Sequence, residues 1–378
     1  MKIVYCTPSL YIPGGVERVL TTKVNYLADV AKYDIYIILT DGEGKEPYYE
    51  LSKKVHVINL DINFEELWGM SFIKKGLTYL KKQRVFKKAL RDILYEIRPD
   101  ITVSLLRREI NFLCDIKDGS KKVGEMHINK AHYRNFEGKD YNWLKGLFAK
   151  LWMKELTNNL KKLDKMIVLS EEDRNSWKEI NNIIVIPNPL PFTSQKQSSL
   201  ENKQVIAVGR YVYEKGFDML LECWQAVQSK HPDWKLAIYG AGDTAQYKKQ
   251  AEALGIDKTC TFNGPTKNIQ DKYAESSIYA LSSRFEGFGM VIIEAMSCGV
   301  PVVSFACPYG PKYIITNASD GFLVENGNTG QLAERICYMI EHPEKRKEMG
   351  TNAIATAKRY CIEEIGKRWI KLFEDITR

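Results

Sequence analysis

Twice along this chain, short apolar runs rich in β-branched residues alternate with helical stretches, and a proline-rich break separates the two series. Alternation of this kind dictates parallel sheets covered by helices, because parallel strands need long crossover connections. The first series predicts strands at Lys2–Cys6, Asp34–Leu39, Val55–Leu60, Ile101–Leu105, Lys122–Met126 and Met166–Leu169. The second predicts them at Gln204–Val208, Lys235–Tyr239, Thr259–Phe262, Ile278–Leu281, Val300–Phe305 and Phe322–Val324. After the first strand, Val16, Val19, Leu20, Val24 and Leu27 recur at helical spacing, and Ser170-Glu171-Glu172-Asp173 reads as a capped helix start. Between Ile186 and Asn202 the chain turns to Pro187-Asn188-Pro189-Leu190-Pro191 and then to polar residues, the texture of an interdomain linker. A length of 378 residues suits two domains. The expected division is a first domain over 1–188, a linker over 189–203, a second domain over 204–355, and a helical stretch over 356–378 packing back on the first. The fold class is therefore α/β, two doubly wound domains facing a central cleft, with ligand expected outside the carboxyl ends of the strands.

Composition narrows the class further. Hydrophobic residues make up 44% and charged residues 27%, ordinary globular usage that excludes disordered, collagenous and coiled-coil chains. The net charge of +8 is concentrated: 67–95 carries +7, 141–165 carries +4, and the remainder sums to −3. The eight cysteines include no Cys-x-x-Cys pair and lie mostly in apolar runs, which predicts reduced, buried thiols and no structural zinc. The four apolar residues at the start are too few for a signal peptide, and no run approaches a membrane span, so a cytoplasmic protein is expected.

The most informative segment runs from Ser283 to Met296, where a strand enters a glycine loop that opens directly into a helix. Free N–H groups around Gly289, Met290 and Val291 suit an anion. Glu286 and Glu294 would repel that anion and instead suit vicinal hydroxyls, which a ribose or hexose presents. Arg210 and Lys215, after the first strand of the second domain, could neutralise a diphosphate leaving group. Gly14, Gly15 and Glu17 close the first strand of the first domain onto a helix, where paired glycines admit a ligand to the backbone. His127 falls at a strand's carboxyl end, whereas His56, His132, His231 and His342 have no such placement. Gly240-Ala241-Gly242-Asp243-Thr244-Ala245 matches a dinucleotide fingerprint, but it sits on the second βα unit and no acidic residue ends the next strand. It reads as a turn that keeps side chains out of a nucleotide pocket. No P-loop, nucleophile elbow, His-Glu-x-x-His or Asp-x-Asp motif occurs at a cleft position, so no metal and no cofactor are expected.

These residues together resemble the retaining glycosyltransferases of family 4, whose GT-B fold pairs two Rossmann-like domains. The resemblance is strong from Gln204 to Val324; in the first domain it rests on Gly14-Gly15-Val16-Glu17 and His127. It implies that Glu286 contacts donor-sugar hydroxyls and Glu294 the nucleotide ribose, with Arg210 and Lys215 on the diphosphate. It also implies backbone help near Gly15 and Met290, His127 beside the transferred sugar, and the loop Gly264–Ile269, with Thr266 and Asn268, at the base. Gly240 and Phe288 complete the expected lining. The run Pro301–Pro311 is similar to a bacterial polysaccharide and lipopolysaccharide subset using UDP-hexoses; many of its members carry a glutamate where this chain has Tyr313. The implied reaction moves a hexose or N-acetylhexosamine from a UDP-sugar to a hydroxyl of a glycan or lipid-linked acceptor, with retention. An epimerase-like isomerase and a non-catalytic binding subunit stay as alternatives. The basic segments, with Trp68, Phe72, Ile73, Trp143, Leu147, Phe148, Leu151 and Trp152 interleaved, suit an anionic membrane surface such as the inner face of the cell membrane. They equally fit two solvated helices with core aromatics, and no motif supports a nucleic-acid partner.

Overall fold

The strands of the first half are β1 (Lys2–Cys6), β2 (Asp34–Leu39), β3 (Val55–Asn59), β4 (Ile101–Ser104), β5 (Lys121–Glu125), β6 (Lys165–Val168) and β7 (Ile183–Val185). They pair throughout in parallel, in the order β3-β2-β1-β4-β5-β6-β7. The helices α1 (Gly15–Asp29), α2 (Phe72–Ile97), α3 (Trp143–Leu160) and α4 (Glu171–Ser176) belong to the same half. This computed structural model describes residues 1–130, 143–192, 194 and 196–378, with the side chains of Phe72 and residues 143–149 outside that description. His132 and the side chains of Trp143, Leu147 and Phe148 therefore lie outside the described residues.

The second series of strands is β8 (Gln204–Val208), β9 (Lys235–Tyr239), β10 (Cys260–Asn263), β11 (Ile278–Leu281), β12 (Val302–Phe305) and β13 (Gly321–Val324). These too are parallel, ordered β10-β9-β8-β11-β12-β13. The accompanying helices are α5 (Phe217–Lys230), α6 (Ala245–Ala253), α7 (Ile269–Ala274), α8 (Met290–Ser297), α9 (Pro311–Ile314), α10 (Thr329–Glu341) and α11 (Pro343–Lys358). A last helix, α12 (Ile362–Thr377), rejoins the first half. The chain thus forms two α/β units, Met1–Pro189 with Ile362–Arg378, and Leu190–Cys361.

In each unit the strand order reverses once, between β1 and β4 and between β8 and β11, which separates the loops leaving those strands and opens a crevice at their carboxyl ends. The first sheet is covered on one side by Leu20, Val24, Leu27, Trp369 and Phe373, and on the other by Phe64, Phe86, Leu90 and Leu94. In the second unit Trp224, Phe217, Leu236, Ile238 and Ile336 anchor the main core. All eight cysteines are free thiols, six of them buried. No helix among the described residues is long and apolar enough to cross a membrane.

Several boundaries differ from those read in the sequence. β12 starts at Val302 and not Val300, because Pro301 has no N–H for a ladder and contributes only its carbonyl, to Tyr279 N. β7, three residues long, was missed in the sequence although Ile183-Ile184-Val185-Ile186 is a β-branched run ahead of Pro187. The stretch from Leu190 to Leu200 is fastened to the second unit: Leu190 N donates to Tyr360 O at 2.6 Å, Ser198 N to Cys298 O at 2.8 Å, and the buried Arg346 guanidinium to Leu200 O at 2.9 Å. At the other end the second unit runs past 355 to Cys361, since α11 continues to Lys358 and Tyr360 packs on Phe288.

Candidate functional site

In the second unit two loops leave neighbouring strands at the reversal point. The first follows β8 through Gly209 and Arg210 into one 3₁₀ turn, Tyr213–Lys215. Tyr211 moors it, its hydroxyl donating to Ile238 O at 3.0 Å and its ring packing on Phe217 and Tyr247. Gly240 presses directly against this loop, so that a Cβ there would lie 1.7 Å from Gly209 O. The dinucleotide-like turn is thus a spacer that lets the Arg210 loop sit where it does. Gly216 ends the turn at φ +61°, and a Cβ would fall 2.1 Å from Ser282 O in the second loop. Only glycine satisfies both the left-handed backbone and that approach.

The second loop follows β11. Ser282 Oγ donates to Lys215 O at 3.0 Å, and Arg284 N donates to Glu214 O at 2.8 Å. The Arg284 guanidinium grips Asp218 with both Nη atoms, at 2.9 and 2.6 Å, while lying over the Tyr213 ring. Its hydrogen bonds and charge hold the Asp218 carboxyl below the usual range. With the loops laced together, Lys215 Nζ meets Glu286 Oε1 at 2.7 Å, and Ser283 Oγ donates to the same oxygen at 2.6 Å. Glu286 is buried and Lys215 partly so. The ammonium and carboxylate read from two separate motifs are therefore one contact pair.

Four further predicted features lie in the second unit. Arg210 is exposed, and among the described residues its side chain has no ion-pair partner. α8 opens at Met290 and Val291 after Gly289, and one turn in, the buried Glu294 carboxylate accepts from Tyr273 Oη at 3.2 Å. Gly264 and Asn268 are exposed; Asn268 N donates to Thr266 Oγ1 at 3.1 Å, which shapes their loop. Phe288 is buried, and its ring packs edge-on against Tyr360.

In the first unit α1 opens at Gly15, and the Glu17 carboxylate folds back over Gly14 into the space a side chain would need. His127 stands two residues past β5, its Nε2 3.3 Å from Glu125 Oε1. Both of its ring nitrogens are buried and lack a hydrogen bond among the described residues. Glu125 is buried as well and accepts from Lys23 Nζ, a fully buried lysine on the inner face of α1. Burial pushes the Glu125 carboxyl up, but Lys23 and His127 outweigh it and hold it at about 2. Among the described residues no group of three His, Cys, Asp or Glu could hold a metal ion.

Sequence reading missed Lys23, Glu125, Arg284 and Asp218. A signal existed for the first: Lys23 interrupts the apolar face Val16-Val19-Leu20-Val24-Leu27, where a charge demands a partner. Arg284 stood inside the quoted motif, but its partner 66 residues earlier could not be read from spacing.

The family described as "Glycosyl transferases group 1" matches residues 192–356. An uncharacterized glycosyltransferase of Haemophilus influenzae is 30% identical over 379 residues, covering 97% of this chain and 98% of the relative. An alpha-1,4-N-acetyl-D-galactosaminyltransferase of Campylobacter jejuni, named for an undecaprenol-pyrophosphate-linked oligosaccharide acceptor, is 26% identical, covering 100% of this chain and 99% of its own. Among solved structures, Anabaena HepE in complex with UDP superposes with a TM-score of 0.76 at 18% identity, covering 99% and 100% of the two chains.

Proposed function

We propose, from the premise that this chain belongs to the GT-B glycosyltransferases, that it is a retaining enzyme moving a hexose or N-acetylhexosamine from a UDP-sugar to a hydroxyl of a glycan or lipid-linked acceptor in cell-surface polysaccharide synthesis. The Lys215–Glu286 contact carries this reading, since it joins the group suited to a diphosphate with the group suited to sugar hydroxyls. Arg210 and Lys215 hold the diphosphate, with the N–H groups of Met290 and Val291 at the start of α8. Glu294 takes the ribose, Gly264, Thr266 and Asn268 border the base, and Glu286 accepts from the sugar. In the first unit, Gly14, Gly15 and Glu17 offer backbone and carboxylate contacts, and His127 meets the transferred sugar. The relative that acts on an undecaprenol-linked glycan favours a lipid-linked acceptor.

In the reaction the bond from the anomeric carbon to the β-phosphate oxygen breaks, and the acceptor oxygen bonds to that carbon on the same face. The acceptor proton passes to the departing phosphate. Charge growing on that phosphate is what two fixed cations stabilise, which needs no bridging metal. Calorimetry with UDP in EDTA tests the assignment. Saturable binding that weakens in Arg210→Ala supports it, and UDP binding only after a divalent cation is added contradicts the metal-independent part.

The acceptor half is also assigned to an anionic membrane surface on the cytoplasmic side. On α2 and just before it, Trp68, Ile73, Leu77 and Leu80 are exposed among Lys74, Lys81, Arg84 and Lys88. Apolar side chains left in water beside a basic stripe suit a bilayer interface. Trp152 is partly buried against the core and belongs to packing instead, while Leu151 is exposed.

A further inference from the structure

A lysine and a glutamate buried together inside a sheet-and-helix core require an explanation. Each ion loses several kcal/mol of hydration, and an apolar pair of similar volume generally packs there at no loss of stability. Lys23 and Glu125 are both essentially inaccessible to solvent; Lys23 lies on α1, which opens at the Gly14-Gly15 loop, and Glu125 ends β5 two residues before His127. Lys23 Nζ is also enclosed by aromatic faces, 4.1 Å from the centroid of Trp369 on α12 and 5.0 Å from that of Tyr5 on β1. α12 thus closes over the lysine from behind. The pair has one further neighbour: Glu125 gives Oε2 to Lys23 and turns Oε1 toward His127 Nε2 at 3.3 Å. Among the described residues, the Tyr5 hydroxyl and both His127 nitrogens are buried without a hydrogen bond.

We propose that Glu125 and Lys23 are positioning residues for His127, fixing which ring nitrogen carries the proton so that Nδ1 is presented as a hydrogen-bond acceptor to a substrate hydroxyl. The inference rests on the assignment of His127 to the transferred sugar. A carboxylate only accepts, so the nitrogen facing it must bear hydrogen, and the neutral ring then keeps its lone pair on Nδ1. Lys23 holds the Glu125 carboxylate through Oε2, so that Oε1 stays turned toward the ring. Trp369 holds the lysine in place through cation–π attraction, which gives the C-terminal helix a part in the site.

The test uses the full chain with ¹⁵N-labelled histidine, with His127→Asn to assign the signal. At about pH 8, above the ordinary histidine range, the wild-type ring should show a protonated Nε2 and a bare Nδ1. In Lys23→Met/Glu125→Leu, which removes both charges and leaves no lone buried ion, that pattern should give way to a tautomer mixture. The double variant should melt at or above the wild-type temperature, yet release UDP from UDP-glucose, UDP-galactose and UDP-N-acetylglucosamine roughly 10- to 100-fold more slowly than wild type with the best of them. A protonated Nδ1 in the wild type, or an unchanged pattern in the double variant, overturns the positioning role. Loss of activity in step with loss of stability also overturns it, because a purely structural pair behaves that way. Should His127→Asn keep full turnover, the contact with the sugar fails while the tautomer result still stands by itself, so the two failures are distinguishable.

Discussion

Lys215 and Glu286 hold each other at 2.7 Å, and their proposed roles pull them apart. On those roles a diphosphate would compete with Glu286 for the ammonium, and donor binding would free the carboxylate for sugar hydroxyls. Two outcomes follow at this scale. Lys215→Ala should lower kcat by roughly 10²–10³-fold, as loss of a charge-stabilising donor does, with a smaller change in donor affinity; equal losses in kcat and affinity on steady-state assay contradict a transition-state role. Glu286→Gln should bind UDP about two- to fivefold tighter by calorimetry, since a partly exposed pair of this kind is worth up to about 1 kcal/mol, and should still lose turnover. Weaker UDP binding in that variant contradicts the competition. The carboxylate spacing and the Arg210–Lys215 element were legible in the sequence because each lies within one short loop. Their meeting at 2.7 Å was not, since it depends on β8 and β11 being neighbours in the sheet.

At the scale of elements, the Arg284–Asp218 grip joins the start of α5 to the loop after β11, and through it the Lys215 turn to Glu286. Arg284→Leu should leave the thermal midpoint within a few degrees, a half-exposed pair being worth about 1 kcal/mol, but lower kcat/KM because the loops lose register. Asp218→Ala should do the same, and the double variant should be no worse than either alone; additive losses argue that the residues act separately. α4 offers a pH-dependent outcome. Burial pushes the Asp173 carboxyl up to about 6 despite hydrogen bonds from Lys130 N and Ser176 Oγ. The native acid therefore binds its proton more tightly than the unfolded chain, whose value is about 3.9, and stability falls as pH rises from about 4 to 6. Asp173→Asn keeps the shape and should gain about 1–2 kcal/mol above pH 6 by denaturant melts, the gain vanishing below pH 4. A gain that persists at low pH points to another cause. The capped start of α4 was readable as Ser-Glu-Glu-Asp, and Ser170 does accept from Asp173 N. The elevated carboxyl was not readable, because burial is a property of the packed unit.

For the whole molecule, the +8 of the sequence is concentrated in the first unit, in 67–95 with its basic, partly apolar α2 and in 141–165. The alternation of strands and helices made both parallel sheets legible before any coordinate, since period and crossover length are local signals. The tie of Lys23 to Trp369 was not, because α12 reaches the first unit only after the whole second unit has intervened. Reversing the charge of Lys74, Lys81 and Lys88 should abolish sedimentation with vesicles rich in anionic lipid at low salt while leaving UDP binding intact, as expected of charges within a Debye length of the bilayer. Unchanged sedimentation contradicts the membrane assignment. The central claim, a transfer from a UDP-sugar, is tested most directly by measuring UDP release across a panel of UDP-sugars with and without bacterial membrane lipid extract. One donor should release UDP in an extract-dependent way, and Lys215→Ala should slow that release by roughly 10²–10³-fold. No UDP from any donor, or conversion of a donor to its epimer without acceptor, would contradict it.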